Sequence, residues 1–151
     1  MSAVFTKLNY KAQSTIHVVN APDSFQSELE EMRAVTGVQT NLARATDVVF
    51  AIAFAVKQAE VDKFADQIAK SSSGDAVIWI AYPKGSSKKY KCEFSRDNGW
   101  AQMGTHGFEP VRMIAIDEDW SALRFRRVEH IKTMTRSSAI TEVGKAKIEG
   151  K

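Results

Sequence analysis

The chain is poor in the residues that stabilise a fold through disulfides or metal ions. Cys92 is the only cysteine among 151 residues, so neither an internal disulfide nor a multi-cysteine metal site can form. The longest apolar run, Val48–Val56, is far shorter than the roughly 20 residues that span a bilayer. The first residues also lack the charged start and apolar stretch of a secretory signal peptide. We therefore expect a cytoplasmic protein with no membrane contact.

Histidine and glycine are also scarce, and this limits the chemistry that the chain can perform. The three histidines, His17, His106 and His130, show no spacing typical of metal ligands. The eight glycines form no phosphate-binding pattern of the Walker or dinucleotide type, and no Gly-x-Ser-x-Gly sequence occurs. The sequence therefore predicts no catalytic residue, metal site or cofactor, and it favours a protein without enzymatic activity.

Neither sign of charge is in large excess. The 21 basic and 18 acidic residues give a net charge of +3, whereas nucleic-acid-binding domains concentrate basic charge more strongly. Basic residues cluster at Lys84–Lys91 and again from Arg124 to the end, where eight bases accompany three acids. Such runs are usually solvated surface. We therefore do not expect a nucleic acid as partner, although an interaction protein that uses this basic C-terminal region, on RNA or protein, is a second alternative.

Apolar residues make up 44% of the chain, which is enough for the packed core of one domain of this length. Runs rich in apolar and β-branched residues predict strands, and apolar residues at helical spacing predict helices between them. The predicted strands are Thr15–Asn20, Asp47–Phe54, Ala76–Tyr82, Val111–Ile116 and Ser121–Val128, with a less marked one at Val38–Leu42. The predicted helices are a segment after Asp23, Gln58–Lys70 and Asp97–His106.

Strands that alternate with helices form right-handed βαβ units in a mainly parallel sheet. The last two predicted strands are joined only by Asp117–Asp119, which is too short for a parallel crossover and predicts an antiparallel pair. We therefore expect residues 1–131 to form one three-layer, Rossmann-like α/β sandwich with a mostly parallel sheet and an antiparallel C-terminal strand. Residues 132–151 are expected to be a basic tail, either flexible or a docked helix.

Local patterns add three expectations. The polar segment Met1–Ser14 predicts a lead-in that precedes the core. Asp23, with Gln26 three residues later, is typical of a helix-capping box, and the helix that follows has an apolar face. That face consists of Phe25, Leu29 and Met32. The run Ser71–Gly74 predicts the end of the helix that begins at Gln58.

Three segments resemble an uncharacterised bacterial family known as domain of unknown function 3052. They are Val19–Phe25, Trp79–Lys84 and Val111–Phe125, the last with the run Asp117–Leu123. The motifs occur in the family's order over most of the chain, so the resemblance is fairly specific. It implies the α/β fold, and it implies no activity because none is known for that family.

Residues Thr46–Val128 also resemble the C-terminal half of S-adenosylmethionine-dependent methyltransferases, which end in a similar succession of strands and a final hairpin. This architectural resemblance implies the cofactor and methyl transfer. Those enzymes cradle the cofactor with a glycine-rich turn, whereas Asn20–Phe25 has no glycine and Pro22 lacks a backbone donor. They also hold the ribose with an acid that Val38–Leu42 lacks. The residues therefore predict no S-adenosylmethionine binding, and a degenerate methyltransferase is the first alternative function.

The candidate site follows from the predicted topology. Open α/β sheets bind ligands outside the carboxyl ends of their strands. The residues at these ends that are expected to contact a ligand are Asn20, Asp23, Lys84, Gly85, Ser86, Ser87, Lys88, Asp117 and Trp120. The lysines and serines would supply donors to an anion, Gly85 would allow close backbone approach, and Trp120 would form an apolar wall. The sequence therefore favours a non-catalytic or regulatory module that binds a small anionic or nucleotide-like ligand.

Overall fold

A computed structural model describes residues 2–94 and 98–131. The helices are α1 (Ala3–Lys7), α2 (Gln26–Arg33), α3 (Gln58–Ser71) and α4 (Ala101–Thr105), with 3-10 turns at Asp23–Phe25 and Val128–His130. The strands are β1 (Thr15–Val19), β2 (Gly37–Gln39), β3 (Val48–Phe54), β4 (Ser72–Pro83), β5 (Phe108–Ala115) and β6 (Trp120–Arg127). The expected tail at 132–151 lies outside the described residues. Within the described part, no helix is long and apolar enough to cross a membrane.

The described strands form one mixed sheet in the order β2-β1-β3-β4-β6-β5. The pairs β1–β2, β1–β3 and β3–β4 are parallel, whereas β6 runs antiparallel to both β4 and β5. This confirms the predicted Rossmann-like α/β fold with its antiparallel C-terminal strand. One edge of the sheet, here called the carboxyl edge, therefore carries the ends of β1, β3, β4 and β5 together with the start of β6.

Helices cover both faces of the sheet because the central strands are apolar on both sides. On one face α3 and α4 pack against the sheet with side chains such as Phe64, Ile68 and Met103. On the other face α1 and α2 pack against it, and Phe50 of β3 is fully buried there. The predicted apolar face of α2 is confirmed: Phe25, Leu29 and Met32 are at most 2% exposed. The result is the expected three-layer sandwich.

The start of α2 differs from the prediction. Asp23 does not cap the helix, since a 3-10 turn at Asp23–Phe25 precedes it and no side chain bonds to the helix start. The backbone N–H of Phe25 instead donates to the carbonyl of Pro22 at 2.9 Å. Because this i→i+3 bond already satisfies an N-terminal donor, the helix begins at Gln26 without a carboxylate cap.

The N-terminal segment is part of the core, so its prediction as a lead-in is wrong. The hydroxyl of Ser2 accepts a hydrogen bond from the backbone N–H of Phe5 at 3.3 Å and so caps α1. Phe5 and Leu8 are fully buried, and Trp79 Nε1 of β4 donates to the carbonyl of Leu8 at 2.8 Å. A five-residue helix is too short to show a helical period in the sequence.

Two further boundaries are shifted. The helix α3 ends at Ser71, one residue beyond the predicted end at Lys70, and β4 starts directly at Ser72, four residues before the predicted strand. The helix α4 spans only Ala101–Thr105, whereas the predicted helix begins at Asp97, which lies outside the described residues. Gly99 has a φ of +94°, a left-handed conformation that a right-handed helix cannot contain, so the helix starts after it.

Candidate functional site

Two connections meet at the carboxyl edge and build the candidate site. The β4–α4 loop (residues 84–94) leaves β4, and the β5–β6 turn (residues 116–119) lies beside it. The backbone N–H of Lys84 donates to the carbonyl of Asp119 at 2.8 Å, and the Ser87 hydroxyl donates to Asp119 Oδ1 at 2.9 Å. Pro83 is the register partner of Trp120. The structure therefore places Lys84 and Trp120 on the same edge of the sheet.

Three of the candidate residues do not line the two cavities described next. Asp117 Oδ1 accepts hydrogen bonds from the backbone N–H groups of Asp119 and Trp120, at 2.8 and 2.9 Å, and so stabilises the β5–β6 turn. Ser86 and Lys88 lie on the exposed outside of the β4–α4 loop. The sequence does not show whether these side chains face a cavity or the solvent, because loop residues lack the regular alternation of a strand.

The first cavity has a volume of about 720 Å³ and is here called the basic cleft. Lys84 and Lys91 line it, and no carboxylate is found among its described lining residues. Tyr82 and Phe94 supply an aromatic wall, with ring centroids 6.1 Å apart. The Tyr82 hydroxyl also donates to the sulfur of Met113 at 3.2 Å. The cleft thus combines positive charge with aromatic surface.

Gly99 holds the aromatic wall of the basic cleft in place. With its φ of +94°, a Cβ at this residue would lie 2.5 Å from the Cβ of Phe94. Only glycine therefore allows the chain to return so close to the wall. The Gln58 side chain of α3 donates to the Gly99 carbonyl at 2.7 Å, which holds the backbone at Gly99 close to α3.

Cys92 also lines the basic cleft. Its pKa is raised, first of all by burial, so the thiol is protonated near neutral pH. A protonated thiol is a weak nucleophile. The described lining residues of this cleft include no histidine, so they provide no general base next to the thiol.

The second cavity, here called the aromatic cavity, has a volume of about 500 Å³ and lies on the other side of Tyr90. Asn20 and Asp23 line it together with Trp120, whereas Lys84 lines the basic cleft. The Trp120 ring packs 4.8 Å from that of Tyr90, and its buried Nε1 has no hydrogen-bond partner in the described part of the chain. Because Tyr90 lines both cavities, the structure divides the candidate residues into two groups.

The N-terminus of α3 opens at the same edge, and three backbone donors there are already occupied. Glu60 Oε1 accepts from the backbone N–H groups of Val56 and Lys57, both at 2.9 Å. Glu93 Oε1 accepts from the backbone N–H of Gln58 at 2.8 Å. Helix N-termini are ready anion sites, and these two carboxylates fill this one from within the chain. These three donors are therefore not open to an external anion.

Sequence reasoning missed both carboxylates. Glu60 occupies the third position of α3, where a glutamate is a recognised sign of helix capping, so the sequence contained a signal for it. Glu93 reaches α3 from 35 residues away, and only the path of the β4–α4 loop brings it there. In the described part of the chain, no group of three or more His, Cys, Asp or Glu side chains is arranged to hold a metal ion.

Comparison with solved structures shows which architecture the chain shares. It is similar to a SAM-dependent methyltransferase from Aquifex aeolicus, at a TM-score of 0.57 and 10% identity, over 83% of this chain and 88% of that one. It is also similar to the N-methyltransferase NodS from Bradyrhizobium japonicum WM9, at a TM-score of 0.50 and 11% identity, over 81% of this chain and 93% of that one. At these identities the similarity establishes the methyltransferase-like fold alone.

Comparisons of sequence give no relatives. No family model matches the chain, so the resemblance to the family of unknown function is not confirmed. No curated protein matches it either.

Proposed function

We propose that this domain binds a small anionic ligand with an aromatic portion, such as a mononucleotide, in the basic cleft, and that it acts as a binding module without catalysis. The observation that carries this proposal is the composition of the cleft. Lys84 and Lys91 face a cavity with aromatic walls and no carboxylate among its described lining residues. The competing anion site at the start of α3 is filled by Glu60 and Glu93.

The size and charge of the cleft suit such a ligand. Its volume of about 720 Å³ falls within the range of small-molecule sites. A hydrogen bond from a lysine to an anion contributes about 1.5–3 kcal/mol, which corresponds to roughly ten- to a hundredfold in affinity. Tyr90 is half-buried and offers the cleft an aromatic side chain against which a planar base can pack, while Tyr82 and Phe94, at 5% and 6% exposure, form the wall behind it. The protonated Cys92 thiol supports a binding role over covalent catalysis.

The test is calorimetric titration of the full chain with adenosine monophosphate, adenosine and inorganic phosphate. We expect the monophosphate to bind most tightly because it alone offers both the anion and the ring. The double variant Lys84→Ala, Lys91→Ala should weaken that binding at least about tenfold. Lys88→Ala with Lys89→Ala is the matched control, since it removes the same charge from the same loop outside the cleft.

Two results would overturn the proposal. One is the absence of binding by both the monophosphate and inorganic phosphate. The other is an equal loss of affinity in the two double variants, which would show that the lysines act only through net charge. Unchanged melting temperatures in both variants are expected, because the four side chains lie at the exposed or half-exposed surface of the loop.

A degenerate S-adenosylmethionine-dependent methyltransferase is the second candidate function. It is favoured by the fold shared with the Aquifex enzyme and by a further cavity of about 370 Å³ at the ends of β1 and β2, lined by residues that include Asn20, Asn41 and Glu60. Another solved structure of NodS, similar to this chain at a TM-score of 0.50 and 11% identity, is a complex with S-adenosylhomocysteine, the product of methyl transfer from that cofactor. Titration with S-adenosylhomocysteine separates the candidates, because binding there should be insensitive to the Lys84 and Lys91 substitutions.

A further inference from the structure

The aromatic cavity differs in charge from the basic cleft beside it. Asp23 and Glu60 line the aromatic cavity, and Lys89 is the one basic residue among its described lining residues, which gives this lining a net charge of −1. The described lining of the basic cleft contains Lys84 and Lys91 and no carboxylate, a net charge of +2. Two neighbouring cavities at the carboxyl edge therefore carry opposite charge.

Both carboxylates of the aromatic cavity have oxygen atoms that can accept hydrogen bonds from a ligand. Asp23 is exposed, and its carboxylate is not used to cap α2, which starts without a side-chain hydrogen bond. Glu60 accepts two backbone hydrogen bonds with Oε1, whereas its Oε2 lies 3.5 Å from Asn20 Nδ2, a longer distance than an ordinary hydrogen bond. An ammonium group brings a positive charge and several donors, so it can bind both carboxylates.

Aromatic and aliphatic side chains form the apolar side of this cavity. Tyr90 is half-buried, so part of its ring is open to a ligand, and its centroid lies 4.8 Å from that of Trp120. Trp120 packs edge-on against Phe54 at 5.1 Å, and both are at most 3% exposed, so they hold the ring of Tyr90 from the core side. Pro22 and Val56 add half-buried apolar surface. Because the face of an aromatic ring attracts cations, Tyr90 acts in the same direction as the carboxylates.

We propose that the aromatic cavity is a second ligand site that takes an organic cation, a primary amine whose ammonium group binds Asp23 and Glu60 and whose apolar body packs against Tyr90. The volume of about 500 Å³ is sufficient for a small aromatic or alkyl amine. A metal ion suits the cavity less well, because the described residues include no group of three or more His, Cys, Asp or Glu side chains that could hold one. The ligand is opposite in charge to that of the basic cleft, so this site goes beyond the proposed function.

Three probes of similar shape and different charge test the site: benzylamine, benzyl alcohol and benzoate, each titrated into the isotope-labelled full chain and followed by NMR. The indole N–H signal of Trp120 reports binding because this residue lines the cavity, and that of Trp79, which donates to the carbonyl of Leu8, is the internal reference. We expect benzylamine to bind at least about threefold more tightly than benzyl alcohol, and benzoate to bind most weakly. No shift of the Trp120 signal with benzylamine, equal affinity for the amine and the alcohol, or a preference for benzoate overturns the proposal.

Two substitutions should change the affinity for benzylamine in opposite directions. Asp23→Asn removes a carboxylate and should weaken binding about two- to fivefold, whereas Lys89→Ala removes the competing cation and should strengthen binding by a similar factor. Glu31→Gln and Lys88→Ala are the matched controls, because they remove the same charges from exposed residues outside the cavity, and they should leave the affinity nearly unchanged. Equal effects in variants and controls would show that the amine responds only to net charge, which contradicts a defined site.

This test is separate from that of the proposed function. The double variant Lys84→Ala, Lys91→Ala should weaken the binding of adenosine monophosphate and leave that of benzylamine intact, since neither lysine lines the aromatic cavity. Loss of benzylamine binding in that variant would place the amine in the basic cleft and overturn the second site. Benzylamine binding without nucleotide binding would instead remove the proposed function and leave the amine site standing.

Discussion

The Ser87 hydroxyl donates a hydrogen bond to Asp119 Oδ1 at 2.9 Å, and this bond fastens the β4–α4 loop to the β5–β6 turn. The same hydroxyl oxygen accepts from the backbone N–H groups of Lys89 and Tyr90, both at 3.3 Å. Ser87 therefore organises the loop that bounds both cavities. Its side chain stabilises the shape of the site and also lines the basic cleft, so the ligand-contacting role that the sequence suggested stays a prediction.

We expect Ser87→Ala to lower the free energy of unfolding by about 0.5–1.5 kcal/mol, because one net hydrogen bond and the order of the loop are lost. Ser86→Ala is the matched control, because the neighbouring Ser86 is exposed and its side chain makes no hydrogen bond among the described residues. Urea denaturation measures the difference between the variants. If Ser87→Ala were as stable as Ser86→Ala, the bond to Asp119 would have no structural role.

S-adenosylmethionine is expected to bind with a dissociation constant weaker than about 100 μM, or about −5.5 kcal/mol. The turn Asn20–Ser24 has no glycine, and Pro22 removes one of its backbone donors. Three backbone donors at the start of α3 are occupied by Glu60 and Glu93. Isothermal titration calorimetry measures this affinity, with the Aquifex methyltransferase as positive control. Tighter binding would instead favour the methyltransferase candidate.

Phe5→Ala should destabilise the fold by about 3–5 kcal/mol, as large-to-small changes at buried aromatic residues do. The Phe5 ring is fully buried and lies 5.7 Å from both Phe25 and Phe50. Lys11→Ala tests the same segment at an exposed position and should change stability little. Urea denaturation measures the free energy of unfolding of both variants. Equal values would mean that α1 is not part of the core.

His17 should make the protein less stable as the pH falls through about 7 to 5. Burial in β1, where the side chain is 7% exposed, lowers the pKa of His17 below its ordinary value of 6.5. Near and below that value the unfolded chain takes up a proton that the folded chain resists, so acidification favours unfolding. His17→Gln should flatten this part of the stability profile, measured by urea denaturation at each pH.

The control for this pH effect is His130→Gln, because His130 is exposed. Its profile should follow that of the unmodified chain. A His17→Gln profile that kept the original slope would assign the pH dependence to other groups.

The pattern of apolar residues determined the core of this fold. The apolar run of β3 suits a strand covered on both faces, and the helical spacing of Phe25, Leu29 and Met32 fixed the buried side of α2. These features depend on neighbours in the sequence, which share one strand or one helix turn. The short helix α1 escaped detection because its burial depends on Trp79, far along the chain.

The sequence also predicted the edge at which the candidate site lies, since parallel strands bring their carboxyl ends to one edge. Only the tertiary structure decided which side chains share a cavity. Lys84 and Lys91 line the basic cleft while Lys88 does not, and Tyr90 separates that cleft from Asn20 and Trp120. The path of the β4–α4 loop fixes this division through the bond between Ser87 and Asp119, and no periodicity along a loop encodes such a contact.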